Sequence, residues 1–396
     1  MTQTTPGSSS ENATSLIADD PWYRLQRAVG LISEAGLNVG RRAVLLAALT
    51  WLPVAVWAAM KGRALPGAVA EPLFEHFGIH VKLLIALPAL VIGEAVAHGV
   101  SRKLIPYFRT SGVVADRDAA RFDAILANLV RWRSHLGPWL IMAAIVAVLS
   151  ALTARAPDLH ELTWAEAAPS DQRSIGFGGW WLVWVSRPIF QFLLVSWMWR
   201  VVLAFLVMRR VSQLDLDLVP THPDRAGGLG FLEGFPAAFA CFAFAISCIV
   251  ASHSAHEVVF HQITLQSLAP MAGLLLAGMM AIGLAPLLAF LPPLSRTKKK
   301  ARLEYAALVA THGRLVRHRW ILGESIARDE VLDAPELGPV VDVSAMYDQV
   351  ERMRAVPIGA RAIALVAMPV IVPMLAVVAL QVPIKDLLLQ ILKILA

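Results

Sequence analysis

Residues 269–292 read APMAGLLLAGMMAIGLAPLLAFLP and contain no charged side chain. A helix needs about 20 predominantly apolar residues to cross the hydrocarbon core of a bilayer. This stretch is long enough and apolar enough to cross, so it predicts a transmembrane helix.

The rest of the chain has the same character. Of its 396 residues, 57% are hydrophobic and 16% are charged, whereas a typical soluble domain has about 25% charged residues. The spans that we predict are 43–60, 81–100, 136–154, 180–208, 232–252, 269–292 and 362–380. The sequence therefore predicts an all-α, polytopic bundle of about seven transmembrane helices, and it excludes an ordinary soluble enzyme, a disordered chain and a disulfide scaffold.

The spans divide the chain into four regions. We expect residues 1–42 to form a disordered tail followed by an interfacial helix, and residues 43–292 to form a six-span bundle. Residues 293–361 are expected to form a small cytoplasmic helical module. Residues 362–396 would then form the seventh span and a C-terminal helix. We expect that last helix, residues 383–396, to be amphipathic, because a stretch of about 14 residues is too short to span comfortably.

The basic residues predict an orientation. Of the 35 Lys and Arg residues, 26 lie in segments 1–42, 101–135, 209–231 and 293–361, which alternate with the other loops. Cytoplasmic loops carry an excess of Lys and Arg, so we expect the N-terminus in the cytoplasm. The same distribution accounts for the net charge of +6, which requires no nucleic-acid partner.

Ionisable residues inside a membrane are costly and suggest function by default. Glu94 and His98 lie four residues apart, so they share one helix face and could relay protons or bind a cation. The structural alternative is a charge-neutralising contact with another helix. Arg187 precedes Pro188, and it either faces an aqueous path or, as we favour, pairs with Glu94. Arg200 is expected to extend to the inner headgroups.

Histidines crowd one predicted outer loop. Imidazole and carboxylate groups suit a divalent metal such as Zn²⁺, Ni²⁺ or Cu²⁺, and the same residues suit pH sensing. The alternative is a polar interfacial helix whose histidines bond to backbone and water. The candidate metal ligands are His253, His256, Glu257 and His261.

A basic cluster follows the sixth span directly. Such clusters usually contact anionic lipid headgroups on the cytoplasmic side of a bilayer. The candidate headgroup contacts are Lys298, Lys299, Lys300 and Arg302.

The most distinctive string follows the fourth span, where residues 221–230 read THPDRAGGLG. Glycines permit positive φ, and successive backbone N–H groups there could cradle an anion. The alternative is structural, with the acidic and basic residues capping helices and fixing the turn. The spacing is not that of a Walker A motif. The candidate residues of this turn are His222, Asp224, Arg225, Gly227, Gly228 and Gly230.

This string resembles one found in an uncharacterised family of bacterial multi-pass inner-membrane proteins. The resemblance covers the T-H-P-D-R-x-G-G-L-G turn and its flanking spans, a minor part of the chain. It implies a multi-pass topology in a bacterial inner membrane, and it supplies no catalytic residues.

Small residues on the sixth span, Gly273, Ala277 and Gly278, permit close helix approach and make this face a candidate homo-oligomer contact. Three functions remain open. A channel or transporter for an ion or small solute is favoured, because charged residues lie in spans and no catalytic motif is present. A membrane-embedded sensor or assembly protein that reads pH, metal or lipid comes second. A membrane metalloenzyme is the weakest alternative.

Overall fold

The structure is a computed structural model, and it describes residues 14–17, 20–32, 37–67, 71–155, 163–165, 175–260, 264–324 and 338–381. The expected C-terminal amphipathic helix and residues 1–13 of the expected tail lie outside this set.

The described residues form helices and the turns between them, apart from one isolated bridge between Val114 and Leu216. We number the helices in chain order. They are α1 (Pro21–Ala28), α2 (Val39–Met60), α3 (Phe77–Thr110), α4 (Ala119–Ser134), α5 (Leu136–Arg155), α6 (Phe177–Val211), α7 (Ala240–Phe260, after a 3₁₀ segment Gly230–Phe239), α8 (Leu265–Leu288), α9 (Leu291–Val316), α10 (Gly338–Glu351) and α11 (Ala360–Gln381).

Seven helical segments in the described part of the chain are long and apolar enough to cross a membrane. They correspond to α2, α3, α4 with α5, α6, α7 with its 3₁₀ segment, α8 and α11. This confirms the all-α, multi-pass fold. Several helices extend well beyond the predicted apolar cores. Helix α3, for example, has 34 residues, whereas the predicted span is 81–100.

Two spans contain a wide π-helical turn just before a proline. The turn Val81–Ala86 precedes Pro88 in α3, and the turn Leu182–Ser186 precedes Pro188 in α6. Proline has no N–H to donate to the preceding turn, and a π turn accommodates the missing bond. Arg187 therefore lies within a continuous helix.

The apolar core lies between α3, α6 and α7. Trp197 of α6 is fully buried and donates from its indole nitrogen to the carbonyl of Leu90, 3.1 Å away. The indole fits because residue 93 is glycine, since a Cβ there would lie 2.8 Å from both Trp197 and Cys241. Helix α11 packs along α7, where Ser247 donates to the carbonyl of Val370 at 2.6 Å.

The sixth and seventh spans approach closely at a different glycine from those we predicted. A Cβ on Gly283 of α8 would lie 2.8 Å from the side chain of Val366 of α11. Gly273 and Gly278 have no such neighbour among the described residues. Their side of α8 is thus free for another contact within the part of the chain that the structure describes.

The chain before the first span packs into the bundle. Leu16 and Ile17 are buried in the main core, and Trp22 of α1 packs against Phe192 of α6 with ring centroids 5.2 Å apart. The expected disordered tail therefore does not include residues 14–17. Burial of two adjacent large apolar side chains gives these residues a fixed place. We call residues 14–17 and 20–28 the N-terminal segment.

Candidate functional site

Three charged residues from three spans meet inside the bundle. Glu94 of α3 accepts a hydrogen bond from Arg42 of α2 and another from Arg200 of α6, the latter at 2.8 Å. Each of the three residues is only 1% exposed. Burying single charges would cost several kcal/mol each, so mutual pairing is what makes this arrangement tolerable. We call Glu94, Arg42, Arg200 and Asp20 the ionic cluster.

The fourth member of the ionic cluster comes from the N-terminal segment. Asp20 precedes α1 and caps it, because its side chain accepts from the backbone N–H of Tyr23 at 2.6 Å. Its other carboxylate oxygen lies 3.4 Å from Arg200. Burial raises the pKa of Asp20 to about 6, although Arg200 opposes that shift. The segment is thus attached to the ionic cluster through a group that titrates in a physiological range.

Further polar contacts attach the N-terminal segment around the ionic cluster. Gln26 accepts from Arg42 at 2.6 Å. The hydroxyl of Ser15 lies 2.7 Å from Nδ1 of His98, and the carbonyl of Ser15 accepts from buried Arg133. The segment therefore covers the polar face of α3 with matching hydrogen-bond partners as well as apolar side chains.

The ionic cluster has more donors than acceptors. Nη1 of Arg42, and Nε and Nη1 of Arg200, are buried and have no hydrogen-bond partner among the described residues. Arg200 also lies over the Trp197 ring, with its guanidinium carbon 5.2 Å from the ring centroid. Buried N–H groups without acceptors are unfavourable unless water or an anion binds them. These guanidinium groups therefore have hydrogen-bonding capacity beyond what Glu94 and the other described acceptors use.

The structure corrects two expectations about the arginines of α6. Arg187 lies 13 residues before Arg200 on the same helix, which places it about 20 Å away along the axis. It cannot share Glu94 with Arg200, so the expected Arg187–Glu94 pair is wrong. Arg200 does not extend to the headgroups, because its guanidinium is held between Glu94 and Asp20.

His98 and Glu94 do share one face of α3, as their spacing predicted. They do not contact the same partner, since His98 faces Ser15 while Glu94 faces the two arginines. The next residue of this face, Arg102, lies 3.5 Å from Nε2 of His98. The polar face of α3 therefore continues from the ionic cluster toward the end of the helix at Thr110.

The glycine-rich turn after α6 binds its own carboxylate. Asp224 accepts hydrogen bonds from the backbone N–H groups of Ala226 (2.7 Å), Gly228 (3.2 Å) and Gly230 (2.7 Å). Burial tends to raise the pKa of Asp224, but these donors outweigh it and hold that pKa below its usual range. The N–H groups that we expected to cradle an external anion are thus occupied, in agreement with the structural alternative for this turn.

The other residues of the turn adopt the backbone angles and contacts that place these N–H groups around Asp224. Arg225 and Gly227 have positive φ, 56° and 65°, and Gly228 has a φ of 95°. His222 lies 2.9 Å from the Asp224 carboxylate, and a Cβ on Gly230 would lie 2.6 Å from Asp224. Positive φ and close approach explain why this stretch needs glycines.

The basic cluster after α8 is only partly available to lipid. Lys298 donates to the carbonyl of Glu351 (3.0 Å), the last residue of α10, and to that of Met353 (2.5 Å), two residues beyond it. Arg302 pairs with Glu351 at 2.6 Å. Lys299 and Lys300 are exposed, and Lys300 lies 3.8 Å from Glu304. Lys298 and Arg302 thus bind protein groups, and headgroup contact of the four residues remains a prediction.

The predicted metal ligands are only partly described. His253, His256 and Glu257 lie on α7, and the ring of His256 packs against Phe260 at 4.6 Å. No group of three or more metal-ligating side chains forms among the described residues, and His261 lies outside them. Metal binding at this end therefore remains a prediction.

Sequence reasoning missed Arg42, Asp20 and Gln26. Arg42 was counted with the polar residues before the first span, and Asp20 with the tail. One signal was present, because Asp20 followed by Pro21 is a helix start with a capping side chain and proline at the first position. Nothing in the sequence indicated that this helix start would be buried.

The chain matches no protein-family model, and neither a curated protein nor a solved structure is similar to it. What the fold and the site define is a multi-pass helical membrane protein with charged residues buried inside its bundle.

Proposed function

We propose that the protein is a channel or transporter for an ion or small solute and that the ionic cluster gates its path. The observation that carries this proposal is the set of buried guanidinium donors beside Glu94 that have no hydrogen-bond partner within the described part of the chain. A purely structural cluster is expected to satisfy its donors, whereas a site for a passing ion must keep some available.

The described conformation is a closed one in this proposal. Beyond Glu94, the face of α3 consists of Leu87, Leu90 and Val91, which are all fully buried. On the other side of Glu94, the N-terminal segment covers His98 and Ser101. Opening then requires the segment to leave the polar face of α3, with water or the solute replacing its hydrogen bonds.

The location belongs to the same proposal. The distribution of Lys and Arg favours a cytoplasmic N-terminus, and the resemblance of the turn at residues 221–230 favours a bacterial inner membrane. The uncovered side of α8 at Gly273 and Gly278 supports a homo-oligomer.

A sensor or assembly function is the second candidate, because one observation favours it. Apolar side chains are exposed on and just after α9, including Leu303 (75% exposed), Trp320 (56%) and Ile321 (74%). Exposed apolar patches of this kind mark contacts with a partner or a membrane. This function would need no flux through the bundle.

Ion flux through purified protein in proteoliposomes tests the first proposal. We would measure chloride, potassium and proton flux for the wild type, for Glu94→Gln and for Gln26→Ala, which removes the hydrogen bond between the N-terminal segment and Arg42. The matched control is Glu304→Gln, an exposed carboxylate on α9. We expect Gln26→Ala to increase flux at least tenfold, Glu94→Gln to lower it, and the control to match the wild type.

Because Glu94→Gln leaves two arginines buried with one fewer carboxylate, a second variant separates flux from folding. Arg42→Gln with Glu94→Gln removes one charge of each sign and keeps the cluster balanced. Absence of flux in the folded wild type and in folded Gln26→Ala would overturn the proposal and favour the sensor function.

A further inference from the structure

A groove lies between α3 and α4, near the end of the second span. It has a volume of about 890 Å³ and is lined by residues of both helices together with Thr14 of the N-terminal segment. We propose that this groove binds the phosphate headgroup of a membrane phospholipid. The inference goes beyond the proposed function and does not depend on it.

The charges of the groove favour a phosphate group. Three cationic side chains line it, Arg102, Lys103 and Arg109, against two carboxylates, Asp116 and Asp123. Arg109 lies 3.5 Å from Asp123, so these two neutralise each other. Arg102, which also lies 3.5 Å from Nε2 of His98, and Lys103 add two further positive charges to the described lining, and Lys103 makes no ion pair within the described residues. The pair of adjacent cations is the phosphate-binding element.

The apolar lining favours a lipid over a free anion. Pro106 of α3 and Phe122 and Leu126 of α4 supply the apolar part of the lining. A pocket for inorganic phosphate needs no apolar wall, whereas a glycerol backbone and the first acyl carbons do. The volume lies within the range of about 300–1,000 Å³ that is typical of small-molecule sites. It can therefore hold a headgroup together with the start of its chains.

The position along the helix places the groove at the headgroup level. Helix α3 has 34 residues, so it is about 51 Å long, against a hydrocarbon core of about 30 Å. Its charged residues after His98 show that much of the excess lies at this end. Lys103 comes seven residues before Thr110, or about 10 Å before the end of the helix. Phosphate groups of the bilayer lie at this depth.

This site differs from the basic cluster after α8. There, Lys298 and Arg302 bind groups of α10, and the remaining lysines, Lys299 and Lys300, are exposed on the surface of α9. In the α3–α4 groove, the cations line a concave surface with an apolar wall. Because a concave site excludes water from both parts of an amphiphile, it discriminates between lipids better than an exposed cluster does.

Native mass spectrometry of the full-length protein in detergent tests the inference, with phosphatidylglycerol as the probe. The compared lipid is diacylglycerol, which has the same chains and no phosphate. Inorganic phosphate, measured by its effect on thermal stability, is the third arm. We expect phosphatidylglycerol to bind at least tenfold more tightly than diacylglycerol and inorganic phosphate to give no stabilisation at the same concentration.

The variant is Lys103→Gln, and the matched control is Lys299→Gln, which removes an exposed lysine from the other basic cluster. Both side chains are exposed, so both variants are expected to fold. We expect Lys103→Gln to weaken phosphatidylglycerol binding at least fivefold, Arg102→Gln with Lys103→Gln to abolish the preference for phosphate, and the control to change nothing. Equal binding of both lipids, equal loss in the control, or stabilisation by inorganic phosphate alone would overturn the inference.

Discussion

Asp20, which precedes the first helix, lies 3.4 Å from Arg200, which lies inside the fourth span 180 residues later in the chain. Both side chains are almost completely buried. This contact attaches a segment outside the spans to the interior of the bundle. It also brings Asp20, whose pKa is raised to about 6, close to the positive charge of Arg200 and the negative charge of Glu94.

The first prediction concerns the pH dependence of that attachment. The pKa of Asp20 is raised from 3.8 to about 6 in the docked segment, because burial disfavours its charged form. Asp20 thus binds its proton more tightly when docked than when released. Docking is strongest below about pH 4, weakens by about 3 kcal/mol as the pH rises toward about 6, and is constant above that value.

Asp20→Asn is expected to remove most of this dependence, because asparagine stays neutral and still caps α1. Hydrogen–deuterium exchange of the peptide covering residues 14–28, corrected for intrinsic rates, measures docking between pH 4 and 7. Glu94, Arg42 and His98 face the same region and are unchanged in the variant. The exposed Asp348→Asn is the control. A slope for Asp20→Asn as steep as that of the wild type would contradict the prediction.

The second prediction concerns the turn after α6. Asp224→Asn keeps one acceptor oxygen, so it cannot replace both carboxylate oxygens that bind the N–H groups of Ala226, Gly228 and Gly230. We expect a loss of about 1–3 kcal/mol in the free energy of unfolding at neutral pH. Since the native pKa of Asp224 is lowered, its stabilisation is present above about pH 4 and is lost as the pH falls through the native pKa.

Thermal unfolding in detergent at neutral and at acidic pH measures this effect. The matched control is Asp217→Asn, an exposed carboxylate of the same connection that pairs with Arg117 at 2.9 Å. Exposed pairs contribute little, so the control should shift stability by less than about 1 kcal/mol. Equal effects of the two substitutions would show that the backbone donors around Asp224 are not what fixes the turn.

The third prediction separates two glycines of the sixth span. A Cβ on Gly283 would lie 2.8 Å from Val366, so Gly283→Ala forces α8 and α11 apart. We expect it to destabilise the protein by about 1–3 kcal/mol. Gly278→Ala meets no described neighbour within 4 Å and gains helix propensity, so it should be neutral or stabilising.

Thermal unfolding of the two alanine variants side by side measures the difference. The comparison holds the residue change and the helix constant. If Gly278→Ala were the more damaging variant, the close approach of α8 to α11 would not be the reason for glycine at position 283.

The fold was largely predictable because length and hydropathy determine which segments cross a bilayer. All seven predicted spans coincide with long apolar helices of the structure. The site was predictable only in part. The free-energy cost of burying a charge singles out Glu94 and Arg200 as unusual, but it does not indicate which residues they pair with. Partners depend on the rotation and depth of each helix, which side-chain packing determines. Arg187 and Arg200 are alike in sequence, and only their positions along α6 decide that Arg200 reaches Glu94.

The N-terminal segment shows a second limit. Polar composition before a first span normally predicts an unstructured tail, and Leu16 and Ile17 are only a short apolar interruption of a polar stretch. What fixes them is a complementary surface on α3, including His98 and Ser101, which no local pattern reveals.

Arg354 joins parts of the chain that are far apart in sequence. Its side chain donates to the carbonyl of Asp224 at 2.9 Å and pairs with Glu233 at 2.6 Å, while its backbone N–H donates to the carbonyl of Arg225 at 2.7 Å. Arg354 therefore joins the connection between the fourth and fifth spans to the residues that lead into the seventh. A displacement of either one must carry the other with it or break these three contacts.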